Sequence, residues 1–169
     1  MLSHLSENPA IARFEPRSSE SGGSPVVWGI DDEHLHNYLL PRDCPRVTFY
    51  AKEDSSPGDI ERFLGSSRAV VAVESSWLDP IRSATLYRYH LPADTFKCID
   101  AGAGYFTSET SVKPAAVEAF DDLFGELMKR DVEVRLLPNL WRLHDAVAAS
   151  TLQFSMIRMR NAAPPIDQA

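Results

Sequence analysis

The chain has 169 residues, of which 44% are hydrophobic and 24% are charged, and its formal net charge is −7 at pH 7. This length and balance predict one globular domain with a core of ordinary size. The acidic charge argues against non-specific binding to nucleic acid or to an anionic membrane, because both depend on a positive surface. No apolar run reaches the roughly 20 residues that cross a bilayer, and the N-terminus lacks the features of a signal peptide, so we expect a cytoplasmic protein.

The N-terminal region contains two segments that precede the first strong pattern. Met1 to Ser6 alternates loosely, and Ser18 to Pro25 is rich in Gly and Ser. The second composition favours a flexible loop over any regular element. We expect this loop to be a candidate lid.

The richest stretch of the chain runs from Val26 to Ala51. Its first apolar run, ending at Ile30, predicts a short buried strand, and the acidic residues that follow can cap a short helix that ends before Pro41. A proline-stiffened turn over 41–46 then leads into an alternating strand over 47–51. Polar chemistry is therefore concentrated where two strands and a helix meet.

The rest of the chain predicts short elements of both kinds. Strands are expected at Ala69–Val73, Thr85–Leu91, an edge strand at Lys97–Asp100, an extended segment at Val112–Phe120, and Val132–Leu136; helices are expected from Asp59 to Leu64, from Asp121 or Asp122 to Arg130, and from Leu140 to about Ser150 with a continuation towards Ile157. Because these elements do not alternate regularly, they predict an α+β fold of short mixed or antiparallel sheets with a few helices. We expect a single domain over 1–161 and a disordered tail over 162–169.

Two arginines in the central turn suggest anion recognition. Arg42 and Arg46 could grip a phosphate or a carboxylate through planar, paired donors. Salt bridges to nearby aspartates such as Asp31 or Asp43 are an equally good interpretation. The glycines at 102 and 104 do not form a phosphate-binding loop, because no third glycine or helix follows.

Cysteines and histidines give weaker signals. Cys44 could be an activated nucleophile beside two arginines, but we favour a buried thiol, and we expect both Cys44 and Cys98 to be free. His34 and His36 fall on different faces of the expected helix, which argues against a metal site. The three tryptophans, Trp28, Trp77 and Trp141, are most simply core residues.

Several motifs resemble a family of uncharacterised bacterial proteins of similar length. They are His4-x-Ser6, Phe14-Glu15-Pro16-Arg17, Trp28-x-Ile30-Asp31, Pro41-Arg42-Asp43-Cys44-Pro45-Arg46-Val47-Thr48 and Pro138-Asn139-Leu140-Trp141. The resemblance spans nearly the whole chain. It implies no established activity.

The order of elements is also similar to the ADP-ribosyltransferase-like fold. That resemblance implies a first strand carrying His4, an aromatic wall that includes Tyr38, and a catalytic Glu109 ahead of an extended segment. It implies NAD as substrate, although the first motif is not the usual His-Gly-Thr and Thr107 stands where a second Glu or Gln is common.

These observations lead to one expected pocket between two small sheets. Its catalytic residues are Glu109 and His4, and its ligand-binding residues are Ser6, Arg17, Asp31, His34, Tyr38, Arg42 and Arg46, with no metal. The expected partner is a nucleotide or another small phosphorylated or carboxylated molecule. The alternatives are a non-catalytic binding module, a hydrolase or lyase that uses His4 or His34 as base, and a protein-interaction domain.

Overall fold

In the computed structural model, the described residues are 1–18 and 23–166, and they form two β-sheets with short helices around them. The strands are β1 Leu2–Ser6, β2 Val27–Ile30, β3 Arg46–Tyr50, β4 Ala69–Glu74, β5 Leu86–Leu91, β6 Lys97–Asp100, β7 Tyr105–Ser108, β8 Ala116–Phe120, β9 Val132–Leu137 and β10 Gln153–Ile157. The α-helices are α1 Pro57–Asp59, which runs into a π turn at Ile60–Leu64, α2 Leu78–Ser83, α3 Leu123–Met128 and α4 Trp141–Ala148; 3-10 turns cover Leu35–Tyr38, Ser75–Trp77 and Met159–Asn161. The α+β prediction is confirmed, as one compact domain.

The larger sheet has the strand order β6-β7-β2-β1-β5-β8, with antiparallel neighbours throughout. The smaller sheet has the order β10-β3-β4-β9, in which only β4 and β9 are parallel. β4 is buried along its whole length because its Ala and Val side chains alternate between two cores. Val71 and Val73 enter the core between the sheets, and Val70 and Ala72 enter the core beneath α4.

A third apolar cluster covers the far face of the larger sheet. Leu2, Val27 and Tyr89 pack there against Phe14 and Val112. Phe14 and Val112 also form an isolated antiparallel bridge, with N to O distances of 2.8 and 2.9 Å. This bridge anchors the segment that leads from β1 towards the functional region.

Two helix ends have the residues that the sequence predicts there, whereas the 3-10 turn at Leu35–Tyr38 begins at His34 with no side-chain cap. Asp122 caps α3 by accepting a hydrogen bond from the Gly125 backbone N–H at 2.9 Å. Gly65, with φ of +59°, ends the turn after α1 as expected. No helix of the described residues is long and apolar enough to cross a membrane.

Two element predictions differ from the structure. The helix expected to continue towards Ile157 ends at Ala148, and Gln153–Ile157 is instead β10, which pairs with β3. The extended segment expected from Val112 becomes a named strand only at Ala116, beyond Pro114, whose ring cannot donate to a ladder.

Two further sequence predictions concern exposure and chain ends. Trp28 is 40% exposed and is not a core residue. Within the expected tail, the Ala163 backbone N–H donates to both carboxylate oxygens of Glu74 at 3.1 Å, and Trp141 Nε1 donates to the Ala163 carbonyl at 2.8 Å. Residues 167–169, and residues 19–22 of the expected lid, lie outside the described part of the chain.

Candidate functional site

The strands β1 and β2 separate soon after they meet. Their one registered pair is Ser3 with Ile30, although β1 pairs with β5 along its whole length and β2 does so with β7. The His4 ring fills the gap, and its Nδ1 lies 3.1 Å from the carbonyl oxygen of Trp28. We call this gap the split, and define it by His4, Phe14, Arg17, Trp28 and Arg42.

The hydrogen bond of His4 fixes its tautomer. A carbonyl oxygen can only accept, so Nδ1 carries the proton and Nε2 of the neutral ring keeps a lone pair. Burial lowers the pKa of His4, and the positive charges of Arg42 and Arg17 lower it further against the opposing effect of the Trp28 carbonyl. His4 is therefore neutral at pH 7 and presents an acceptor.

Arg17 and Arg42 reach the split from two separate segments. Arg17 forms an isolated backbone bridge with Val26, one residue before β2, with both N to O distances at 3.0 Å. The Arg42 backbone N–H donates to the Glu7 carboxylate at 3.2 Å. Both arginine residues are exposed, and within 1–18 and 23–166 neither guanidinium has an ion pair. Their charges both lower the pKa of His4, so these three predicted residues lie within electrostatic range of one another.

Aromatic rings lie near the split on both faces of the larger sheet. The Phe14 ring lies 4.7 Å from the His4 ring between centroids. Trp28 meets Tyr105 edge-on at 6.0 Å, and the Tyr38 hydroxyl donates to the Tyr105 hydroxyl at 3.2 Å. Burial raises the pKa of Tyr38, so this hydroxyl stays protonated. Tyr38 thus lies behind the exposed Trp28 rather than at the ligand-facing surface.

Arg46 does not belong to the split, although the sequence predicts a ligand-binding role for it. It is 2% exposed, and it donates to the carbonyls of Asn37, Pro41 and Cys44 at 3.1, 3.0 and 2.9 Å. Its guanidinium therefore holds the 41–46 turn together from inside, where a carbonyl cage replaces the predicted anion or salt bridge. Arg42 lies on the exposed side of this turn.

Cys44 lies in the same turn and is fully buried. Burial raises the pKa of its thiol to about 12, with the Arg46 charge opposing the shift. A thiol that stays protonated and inaccessible is not a nucleophile. Both cysteines are free, as predicted, and Cys98 is exposed.

Asp31 and His34 pair with each other. Asp31 Oδ1 accepts from the His34 backbone N–H and from His34 Nδ1, both at 2.8 Å. Gly104 packs against this pair with φ of +69°, and its carbonyl accepts from the Asp31 N–H at 3.1 Å. No described contact links this pair to His4.

Ser6 and Glu109 occupy supporting or outlying positions. The Ser6 hydroxyl accepts from the Asn8 backbone N–H at 3.1 Å, which shapes the turn after β1. Glu109 is exposed, and it is the first residue after β7. Ser108 pairs with Val27, so Glu109 lies near the same end of β2 as Arg17 does.

Arg158 and Asn161 are contributors that the sequence did not indicate. Asn161 Nδ2 donates to the Asp43 carbonyl at 2.8 Å, and Arg158 Nε donates to the Arg42 carbonyl at 3.4 Å. Arg158 has a left-handed φ of +55°, which the sequence gives no sign of. These residues tie the C-terminal segment to the turn that carries Arg42.

Two surface grooves lie away from the split. One, of about 340 Å³, is lined by Pro9, Ala10, Ile11, Ala12, Tyr89, Pro114, Ala116 and Val117. The other, of about 170 Å³, is lined by Pro92, Asp94, Thr95, Ser111, Val112 and Lys113. Neither contains His4, Arg17 or Arg42, and the first offers almost no polar side chains. We therefore place the candidate site at the split, where charge and a free acceptor coincide.

The chain is an α+β protein of two sheets, and the split lies where β1 and β2 of the larger sheet separate, within electrostatic range of Arg17 and Arg42. The chain belongs to the family of unknown function DUF6886, which matches residues 3–162. No curated protein and no solved structure matches the chain.

Proposed function

We propose that the split binds the phosphate of a nucleotide or of a related phosphorylated small molecule. The observation that carries this proposal is that the charges of Arg17 and Arg42 both act on a neutral His4, while neither guanidinium has an ion pair within residues 1–18 and 23–166. Guanidinium groups offer planar, paired donors that match phosphate oxygens. The net charge of the chain is −7, so this local positive region favours an anionic ligand against the overall field.

The neutral His4 narrows the ligand class. Its Nε2 can only accept a hydrogen bond, so it needs a ligand that also has a hydroxyl or amino donor. A sugar phosphate or a nucleotide supplies both groups, whereas fully ionised phosphate has no donor.

A thermal-shift panel tests the proposal, because a ligand that binds only the native state raises the melting temperature. The probes are pyrophosphate, ADP, ADP-ribose and NAD, with adenosine as the uncharged control. We expect ADP or ADP-ribose to raise the melting temperature, adenosine to have no effect, and Arg17→Ala or Arg42→Ala to abolish the shift. Arg82→Ala, at an exposed arginine on α2, should leave it intact. The proposal would be overturned if no phosphorylated probe raised the melting temperature. It would also be overturned if the rise persisted in a variant that carries both Arg17→Ala and Arg42→Ala.

The second candidate function is ADP-ribosyl transfer from NAD. It is favoured by the position of Glu109, which follows Ser108 at the same end of β2 as Arg17. Breaking the nicotinamide bond develops positive charge on the ribose, which a carboxylate stabilises. If NAD is a substrate, Glu109→Gln should lower turnover by at least ~100-fold while NAD binding persists, and Glu53→Gln on an exposed turn should change neither. If the unmodified protein binds NAD but does not turn it over, the transferase function is excluded and a non-catalytic binding function remains.

A further inference from the structure

The inner face of β3 carries a buried polar cluster that takes no part in the split. Thr48 and the turn residues His36 and Asn37 are each no more than 1% exposed. Four of their side-chain atoms have no well-formed hydrogen bond in the described protein: His36 Nε2, Asn37 Nδ2, Asn37 Oδ1 and Thr48 Oγ1. The Asn37 side chain nevertheless lies close enough to the Tyr50 hydroxyl to oppose the rise that burial causes in the pKa of Tyr50. A buried polar atom without a partner costs about 1–3 kcal/mol, and native proteins contain few such atoms.

Two contacts bring these atoms to one place. Arg46 Nε donates to the Asn37 carbonyl at 3.1 Å, and the His36 ring lies 5.5 Å from the Tyr50 ring between centroids. Arg46, Thr48 and Tyr50 alternate along one face of β3. Thr48 therefore lies between the two points at which the turn touches the strand, so His36 and Asn37 cover it.

The chemistry of the cluster identifies what can bind there. His36 Nδ1 lies 3.0 Å from the Glu33 carbonyl, so it carries the proton and Nε2 is left as an acceptor. Asn37 offers a donor and an acceptor, and so does the Thr48 hydroxyl. A metal ion does not suit this set, because no group of three His, Cys, Asp or Glu ligands occurs among the described residues. Water, with two donors and two acceptors, satisfies every member.

We propose that ordered water molecules occupy this cluster and join His36, Asn37 and Thr48 across the interface between the two sheets. A buried water makes about three hydrogen bonds, so roughly two molecules are enough for the four atoms. The site adjoins a chain of hydroxyl groups, since Ser155 pairs with Thr48 in register and its Oγ lies 3.5 Å from the Tyr105 hydroxyl. Tyr105 in turn meets Trp28 at the split.

A crystal structure at high resolution and one isosteric substitution test this proposal together. We expect electron density for water within hydrogen-bonding distance of at least two of the three side chains. Thr48→Val should then lower the melting temperature by about 2–4 °C, because it removes a partner from bound water. Thr48→Ser, which keeps the hydroxyl, should retain the water density. Thr85→Val provides a matched control at a half-buried threonine outside the cluster.

A rise in melting temperature, or electron density that does not fit water, would overturn the proposal. If the cluster is dry, Thr48→Val removes an unpaired hydroxyl without changing the shape of the side chain, and the melting temperature rises. Density for a metal ion or an organic molecule at these side chains, or no density at all, would contradict hydration just as directly. These readouts do not depend on whether the split binds a nucleotide.

Discussion

The Nδ1 atom of His4 donates a hydrogen bond to the Trp28 carbonyl at 3.1 Å, across the gap where β1 and β2 separate. A side chain thus takes the place that a backbone amide would hold in a continuous ladder. This one contact pins the imidazole, sets its tautomer and leaves Nε2 for a ligand. The positive charges of Arg17 and Arg42 then lower the pKa of His4 further, so the ring stays neutral.

Replacing His4 by Phe should show whether His4 binds the sugar hydroxyl of the ligand independently of the arginines that bind its phosphate. The ring keeps its contact with Phe14 but loses the acceptor, so the affinity for ADP should fall about 3- to 10-fold, the value of one hydrogen bond. The affinity for pyrophosphate, which has no sugar hydroxyl, should stay within about twofold. Calorimetric titration of both ligands checks this. Equal losses for ADP and pyrophosphate would mean that His4 supports the arginines rather than contacts the sugar.

Stability should fall in mild acid because of His36. Burial lowers the pKa of His36 to about 4, and the charge of Arg68 adds to the shift. The unfolded chain, with an ordinary histidine pKa of about 6.5, therefore takes up the proton first. The contribution of neutral His36 to the free energy of unfolding is therefore complete above pH 6.5. It is lost progressively as the pH falls towards 4, by about 3 kcal/mol in total.

Urea unfolding of the protein and of His36→Phe over pH 4–7 measures this contribution. The substitution should flatten that part of the pH dependence, whereas Thr85→Val, which changes no titratable group, should leave it unchanged. An equal slope in the protein and in His36→Phe would show that His36 takes up its proton alike in the folded and unfolded states.

Much of the fold follows from local patterns in the sequence. Alternation in β3 and β9 and the apolar run of β4 identify those strands, and Asp122 identifies the start of α3. These signals work because each element packs one regular face on a core. The sequence favours a continuation of α4 over 153–157, because this segment follows the helix closely, and only its long-range pairing with β3 makes it a strand.

The candidate site could be predicted only in part. His4, Arg17 and Arg42 adjoin turns and strand ends, which favours a binding role. In the structure the charges of both arginines lower the pKa of His4. Arg46 looks equivalent to Arg42 in sequence, but it is caged by carbonyls. The contacts of Arg158 and Asn161 with the turn span more than a hundred residues of chain, and no local pattern encodes them.

Gly104 should not tolerate a side chain. Its φ is +69°, and an added Cβ would collide with His34 Nδ1 and lie 2.6 Å from Asp31 Oδ1. Gly104→Ala should therefore lower the free energy of unfolding by at least about 2 kcal/mol. Gly58→Ala is the matched control, because nothing lies within 4 Å of its Cβ position. Denaturant unfolding compares the two, and equal stabilities would mean that the Asp31–His34 pair shifts freely.

The two thiols should react very differently. Cys98 is exposed, whereas Cys44 is buried and burial raises its pKa to about 12. A thiol reagent should modify one group per native chain rapidly and the second only after unfolding. Cys98→Ser should remove the rapid phase. Rapid modification of Cys44 in the native Cys98→Ser variant would contradict its burial and reopen the question of a reactive thiol.

The most direct test of the central claim is a ¹H–¹⁵N NMR spectrum of the imidazole nitrogens during a titration with ADP. We expect His4 to show the Nδ1–H tautomer in the free protein and its Nε2 resonance to move as ADP binds. The resonances of His144, on α4 and away from the split, should stay in place. ADP binding that leaves His4 Nε2 unchanged, or a free protein in which His4 is protonated on both nitrogens at pH 7, would contradict it.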